Sequence, residues 1–599
     1  MTALSTKQDR WTIINQTFRS SFITFSLTSL TNRGATIIDG LFVSNFLGVN
    51  EIASVGIAKL VFSMTAILSG LFAVGMQSKC SYELGKGEVR SFNRVFCSIF
   101  YIVTALSAFF GVLLFVTANP VAILLGAAGK GAELADGAAS YLRGIAVGFP
   151  ALVLVPVLSP ALQLDSAKNR VRKSTILYFA SNFLLDYLAV KTHMGVLGIG
   201  LSTSVANYIQ LGYLMLHFTA KDRMLRFTKA NMTITELLET FQLGSERATT
   251  SLGVVVSSSI LNRLILYYGG TLAMSAYAVQ KDMFTFSEVF AVGLANATAL
   301  QTSVNYGEMN GEYVYATGKI AHRNCLICLG CICAILLFLA RPIAGLYISE
   351  RGELYDLVVF ASIMTAFYAP LNGLVRARIS YLNCIKLTKN AQLMVFLSTI
   401  VYMLLSAWIL GFLFGAKGEL AAQLARVCLL CVSVWIYYAC KCKKIIPTGT
   451  DYLNLPETFH ISPGNIISLD IRNEEDISLV TEQIQLFCKG HKISKQIGMK
   501  AAICFEELTI NIIRHGFPKC KGNPGIDLRI VFIEDQLVMR IRDNCSLFNV
   551  ERYMAQEKSN CENEDDLRLG IKVVASLADQ ISYVHSMETN NVIVKFQLK

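Results

Sequence analysis

Charge is what this chain has least of. Charged residues fill 16% of its 599 positions and apolar residues 53%, and the mean hydropathy is +0.49. A soluble domain carries about a quarter charged residues, so a disordered chain, a fibrous protein and an ordinary soluble enzyme are excluded. The chain also lacks a G-x-x-x-x-G-K-[ST] loop, which argues against a primary ATP-driven pump. It lacks the basic, aromatic-interleaved stripe of a nucleic-acid binder, so no nucleic acid is expected as partner. None of its 16 cysteines pairs in the pattern of a secreted disulfide framework. No cleavable signal peptide is expected, because the start is polar and the first apolar stretch is too long for an h-region.

What is present is a series of long apolar segments. A spanning helix needs roughly 20 apolar residues. Twelve candidates are centred near Ile37, Met64, Phe109, Val153, Phe179, Ile209, Val256, Val289, Ile332, Phe367, Leu397 and Leu430. Alternate connections hold most of the Lys and Arg, as at Lys86, Arg90 and Arg94, or Lys168, Arg170, Arg172 and Lys173. The remaining connections hold few, such as Lys130, Lys191 and Lys417. The positive-inside rule therefore places the N-terminus, the even-numbered connections and the tail in the cytoplasm, and the net charge of +11 reflects those loops.

The membrane part repeats itself. Leu71-Phe-Ala-Val-Gly-Met76 matches Val289-Phe-Ala-Val-Gly-Leu294, and Leu164 and Lys168 match Leu382 and Lys386, all at an offset of 218. Phe46-Leu-Gly48 and Lys59 match Tyr268-Gly-Gly270 and Lys281 at an offset of 222. Six spans per half give both halves one orientation. Such parallel repeats build transporters with the site between the halves. The expected organisation is a first six-helix lobe (1–220), a second (221–445), a linker (446–470) and a soluble domain (471–599).

Ionisable groups at bilayer depth are costly and point to function. Asp39 lies in span one, and Asn182 and Asp186 lie four apart, on one face, in span five. Their repeat positions in the second half are Leu261, Ile400 and Leu404, so the acidic groups belong to the first lobe alone. Two carboxylates with a supporting amide suit coupling to protons or sodium. The plainer reading pairs them with Arg33 or Lys59 as structural ties. Arg263, Lys281, Asp282 and Glu288 are second-half charges with the same ambiguity; a structural role is favoured for Lys281 and Asp282. Cys325, Cys328, Cys331 and Cys333 suit packing on the ninth span better than metal binding.

These residues resemble the multidrug and toxic compound extrusion (MATE) transporters over about residues 10–445. The resemblance rests on Ile38-Asp39-Gly40, on Asn182 with Leu185-Asp186, on Gly195-Val-Leu-Gly-Ile-Gly200, and on Gly75 and Gly293 with Gly85 and Gly307. It implies antiport of small organic compounds against protons or sodium across the cytoplasmic (inner) membrane, with Asp39, Asn182 and Asp186 as the coupling site. Arg33 and Lys59 depart from the pattern expected for a lipophilic-cation carrier.

Residues 445–470 carry Pro447, Gly449, Pro456, Pro463 and Gly464, a linker signature. Beyond them the pattern predicts helices at 475–489, 495–515 and 567–578, with strands near 526–534, 537–543, 580–586 and 592–598. That is an α/β sandwich with helices on one face of a largely antiparallel sheet. Glu507, Asn511 and His515 recur at i, i+4 and i+8, Asp543 ends a strand, and Leu569-Gly570-Ile571 opens a helix. Over about residues 465–599 this set resembles the histidine-kinase-like ATPase domain, most closely its anti-sigma-factor serine kinase branch. The resemblance implies Mg-ATP binding with Asn511 as Mg²⁺ ligand, Glu507 as base, Asp543 on adenine, and His515, Gly570 and Ile571 in the nucleotide site. Cys545 replaces a family glycine, and Leu567 and Arg568 replace two more. Two functions follow: an antiporter with an ATP-binding regulatory tail, or a membrane receptor whose tail phosphorylates or sequesters a cytoplasmic regulatory protein of the anti-anti-sigma kind.

Overall fold

The computed structural model describes residues 12–598 except 48–50, 52–53, 56–59, 125–131, 221–222, 230–231, 349–350, 447–450, 457–458, 460–462, 521–523, 534 and 546–564. Twelve long helices carry all twelve expected centres. The first lobe holds α1 (Thr12–Phe46), α2 (Leu60–Gly85), α3 (Val89–Val116), α4 (Ala132–Leu164), α5 (Lys168–Lys191) and α6 (Gly195–Met215). The second holds α7 (234–269), α8 (271–307), α9 (Gly311–Phe338), α10 (Glu353–Cys384), α11 (388–414) and α12 (416–442). The breaks between α7 and α8 and between α11 and α12 fall at Gly270 (φ 67°) and Gly415 (φ 57°). Only glycine adopts such dihedrals cheaply, so one residue reverses the chain.

The internal repeat is written in the backbone as well. Positive-φ residues end helices at Gly87 and Met309, at Ser166 and Lys386, and at Gly195 and Gly415. Their offsets are 222, 220 and 220 residues, within the 218–222 range read from side chains. Contacts between the lobes follow the same symmetry. A Cβ on Gly75 of α2 would lie 2.2 Å from the Thr240 carbonyl of α7, and one on Gly293 of α8 would lie 2.1 Å from Ser26 Oγ of α1.

At the tail-proximal end Gly85 and Gly307, a repeat pair, meet each other. A Cβ on Gly85 would fall 2.1 Å from the Val304 carbonyl, and one on Gly307 would fall 2.2 Å from the Tyr82 carbonyl. Bare backbone thus closes this end between the lobes. Gly307→Val is expected to destabilise the closed arrangement by about 1–3 kcal/mol, the usual cost of overpacking. Thermal unfolding of the detergent-solubilised protein checks it, and an unchanged midpoint would show that the contact is slack.

The linker differs from expectation in two ways. Its last residues form strand β1 (Ile466–Ile471), which pairs antiparallel with β2 (Ile526–Ile533). The Pro463-Gly464 punctuation hid a strand that starts two residues later. Its middle is packed: Tyr381 Oη donates to the Leu453 carbonyl at 2.6 Å, and the Phe459 ring stacks on Tyr306 at 4.8 Å.

The tail is a five-stranded antiparallel sheet in the order β1-β2-β3-β5-β4, with β3 at Gln536–Asp543, β4 at Gln580–Ser586 and β5 at Thr589–Gln597. Helices α13 (Glu475–Gly490), α14 (Lys495–Asn511) and α15 (Asp565–Leu577) cover one face. Leu528, Ile530, Met539, Ile541, Val592 and Val594 point to that face and form the core beneath the helices. Their alternate neighbours Asp527, Arg529, Arg540, Arg542 and Ile593 point to the other, as the period of a strand requires.

Candidate functional site

In the membrane part, α1, α5 and α6 bring three sequence-predicted residues together. Asn182 sits one turn before Asp186 on α5. Its Nδ2 donates to Asp39 Oδ1 at 2.8 Å and to Asp186 Oδ2 at 3.0 Å. Thr203 of α6 donates its Oγ1 to Asp39 Oδ2 at 3.3 Å. All three predicted residues are buried. Both amide hydrogens are used to bridge the two carboxylates, while Asn182 Oδ1 and Asp186 Oδ1 remain without a hydrogen bond among the described residues. Two carboxylates this close are costly when both are ionised.

Among the described residues, Arg33 forms no ion pair with Asp39 or Asp186. Arg33 interacts instead with Glu288 and Arg376 of the second lobe, and Lys59 lies outside the described residues. In the second lobe, Leu261 occupies an apolar cluster, so that lobe has no counterpart of Asp39. The cysteines of α9 do not share a face: Cys325 is buried and donates to the Pro370 carbonyl at 3.5 Å, whereas Cys331 is exposed.

Of the charges inside the second lobe, sequence reasoning named Glu288 and left its role open, and it passed over Glu246, Arg247, Arg426 and Glu419. Glu288 accepts from Arg376 at 2.7 Å and from Asn372 at 2.8 Å. Glu246 and Arg247 face the same interior beside Arg376 and Arg426. Glu419 is buried at the start of α12 with neither carboxylate oxygen hydrogen-bonded among the described residues. The available signal was the Glu246-Arg247 pair, which stands at the mouth of an apolar span.

In the tail, α14 presents Glu507 and Asn511 toward α15. A Cβ on Gly570 would lie 2.2 Å from Glu507 Oε2 and 3.4 Å from Asn511 Nδ2, so the glycine lets the Glu507 carboxylate lie against α15. Asn511 Nδ2 is buried without a partner among the described residues. Ile571 packs in the domain core. His515 falls in a π-turn, Ile512–Gly516, and is exposed. The widened turn interrupts the 3.6-residue period that underlies the i+8 spacing.

Asp543 ends β3 on the helix-covered face. Its Oδ1 accepts from the Cys545 amide at 2.9 Å and from Asn590 Nδ2 at 2.8 Å. Burial pushes its carboxyl up to about 6, against the pull of the Asn590 and Cys545 donors. Cys545 is not in the left-handed region, so the missing glycine costs no backbone strain there. Its side chain is accommodated by Gly516, where a Cβ would sit 3.3 Å from Cys545 Cβ. The side chains of Leu567 and Arg568 lie outside the described residues. If a Mg-nucleotide binds here, Asn511 would hold the metal through its amide oxygen and Asp543, a buried acceptor, would meet adenine.

The Asp543 value has a pH consequence. Its folded value lies above the ordinary carboxylate range of about 4. Between these values the native state holds more protons than the unfolded one, so the domain loses stability as pH rises through that window. Acceptance of an adenine amine needs the carboxylate form. ATP affinity of the full chain is therefore expected to increase from pH 5 to pH 7 in calorimetry, and a flat profile would remove Asp543 from the adenine contact.

The opposite face of the sheet rests on the tail-proximal end of both lobes. Arg540 contacts Glu308 at 3.0 Å and donates to the Gly85 carbonyl at 2.7 Å. Arg542 also pairs with Glu308, and Arg529 donates to the Glu308 and Met309 carbonyls at 3.0 and 2.6 Å. On the first lobe, the Glu588 amide donates to Ser166 Oγ at 2.8 Å, and Met587 and Val584 join the lobe's apolar cluster.

This is the architecture of a two-lobe, twelve-helix transporter with an α/β domain docked across one end. The MatE family model matches residues 25–188, and the histidine kinase-like ATPase domain matches residues 473–596. A segment similar to MatE proteins is therefore followed by one similar to histidine kinase-like ATPase domains. It is 22% identical over 360 residues to the multidrug export protein MepA of Staphylococcus haemolyticus, covering 58% of this chain and 78% of that protein. Its fold is similar to an outward-facing multidrug resistance MATE family transporter of the MOP superfamily. There the TM-score is 0.65 and the identity 18%, over 71% of this chain and 94% of that one. The bent form of the Vibrio cholerae MATE transporter VcmN gives a TM-score of 0.67 at 15% identity, over 73% of this chain and 98% of that one.

Proposed function

We propose that this protein is a secondary antiporter that exports small organic compounds in exchange for protons or sodium, regulated by a cytoplasmic ATP-binding tail. The observation that carries the reading is the buried Asp39–Asn182–Asp186 bridge. It provides one exchangeable positive charge at membrane depth, in the lobe of a parallel-repeat transporter whose partner lobe lacks it. The multidrug export role in the name of its Staphylococcus relative agrees with this reading. In vesicles, flux should require an imposed proton or sodium gradient. Absence of flux, together with ligand-dependent phosphorylation of a cytoplasmic partner, would favour the receptor alternative.

The docking supports a specific form of regulation. Alternating access requires the lobes to part at the tail-proximal end, and the tail touches both. A docked tail holds that end shut. On β3, Arg542 faces Glu308 while its neighbour Asp543 faces the nucleotide site. On β5, Asn591 accepts from Arg542 at 2.7 Å while Asn590 bonds Asp543. Two adjacent residue pairs thus connect the adenine acceptor to the latch through one sheet thickness. Asn511→Ala should abolish Mg-dependent ATP binding and, with it, any effect of ATP on flux. Equal calorimetric binding in that variant would place the metal elsewhere.

A further inference from the structure

The charges between the lobes do not balance. A space of about 60 Å³ is lined by Gln77 and Ser78 of α2 and by Glu246, Arg247, Asn372, Arg376, Asn383 and Arg426 of the second lobe. Glu288 is spent on Arg376 and Asn372. Glu246 accepts from Thr250 Oγ1 at 3.2 Å. Arg426 donates to the neutral oxygens of Ser398 at 3.0 Å and Tyr368 at 3.1 Å, and its Nε has no hydrogen bond among the described residues. Arg247 and Arg33 form no hydrogen bond or ion pair among the described residues, although both lie within electrostatic reach of Glu288 and Arg376. Among the described residues, four guanidiniums therefore stand near two carboxylates, and the one close pair, Arg376–Glu288, uses one of each.

The placement of Arg247 is built. A Cβ on Gly70 of α2 would lie 2.6 Å from Arg247 Cγ, so the first lobe leaves out a side chain to let this arginine stem pass. Unbalanced guanidiniums at membrane depth are expensive unless a ligand supplies the negative charge. A guanidinium fork matches a carboxylate or phosphate bidentately. The space is a few times smaller than the roughly 300 Å³ or more of a drug-sized site. In this tail-closed arrangement it suits one oxyanion group rather than a bulky aromatic cation.

We propose that the interlobe cavity binds the oxyanion group of a small organic anion through Arg247, so that the exported compounds are anionic rather than lipophilic cations. This inference rests on the transport reading above and names the substrate class of that transporter.

The test uses the full-length protein with three radiolabelled probes: succinate, phenyl phosphate and tetraphenylphosphonium. Equilibrium binding in detergent and gradient-driven flux in vesicles are measured for wild type, Arg247→Gln and Arg247→Lys. Binding of succinate or phenyl phosphate is expected, about ten- to hundredfold weaker in Arg247→Gln and partly restored in Arg247→Lys. The two anions separate a carboxylate source from a phosphate one. Saturable tetraphenylphosphonium binding that Arg247→Gln leaves unchanged, with no binding of either anion, would overturn the anionic assignment while leaving transport intact. Anion binding that depends on Arg247, without gradient-driven flux of any probe, would keep the site and sink the transporter reading.

Discussion

Vesicles carrying Asp186→Asn are expected to show no gradient-driven flux above protein-free vesicles, and Asp39→Asn the same, while both variants insert and fold. The amide replacement keeps shape and can still meet Asn182, whose Nδ2 now bridges the two carboxylates at 2.8 and 3.0 Å. What it removes is the exchangeable charge. Packing should survive because both residues are buried among helices whose contacts do not depend on ionisation. A general acid–base group typically contributes a factor of about 10²–10⁴, and a coupling group with no substitute nearby should show a loss at least that large. Full flux in both variants would reduce the cluster to a helix tie.

The second large effect concerns the latch. Glu308→Gln should release the tail from the lobes. The Glu308 side chain is 2% exposed and meets both Arg540 and Arg542. Removing its charge leaves two buried guanidiniums that have lost their ion-pair partner, with Asp527 the carboxylate still within electrostatic reach. Breaking a buried pair from one side costs about 3–5 kcal/mol, which would raise the undocked population by roughly two to four orders of magnitude. Hydrogen exchange along β2 and β3 should accelerate on the docking face, and the linker should become open to protease. Transport should speed up, because the tail-proximal end is freed to part. Unchanged exchange and unchanged flux would show that docking does not restrain the lobes. Arg514→Ala serves as control, since Arg514 pairs with Glu474 on the exposed tail surface, away from Glu308.

Much of this organisation was legible in the residues. Twelve apolar runs and the alternation of basic loops specify spans without reference to partners, and each expected centre lies in a helix. The bridge was legible as well, because Asn182 and Asp186 are four apart on one helix and Asp39 is an acidic residue in an otherwise apolar run. Strand β1 was not, because a six-residue strand after Pro463-Gly464 carries no turn signal of its own on the N-terminal side. The docking face was also beyond reach. Asp527, Arg529, Arg540 and Arg542 alternate with core residues as any solvated strand face does, and nothing local shows that Glu308, over 200 residues away, covers them. Arg247 was missed for the same reason: its surroundings come from five other helices. The π-turn before Gly516 shows the limit of periodicity, since one extra residue per turn moves His515 off the face that Glu507 and Asn511 share.

Antiport is a statement about reciprocity, and the most direct measurement reads it in reverse. Full-length protein is placed in vesicles with a pH-sensitive or sodium-sensitive dye inside, no ion gradient is imposed, and a gradient of transported compound is applied instead. The account predicts ion movement opposite to the compound, proportional to its flux, and absent in Asp186→Asn. Compound flux with no ion movement in the wild type would contradict it, whatever the fold.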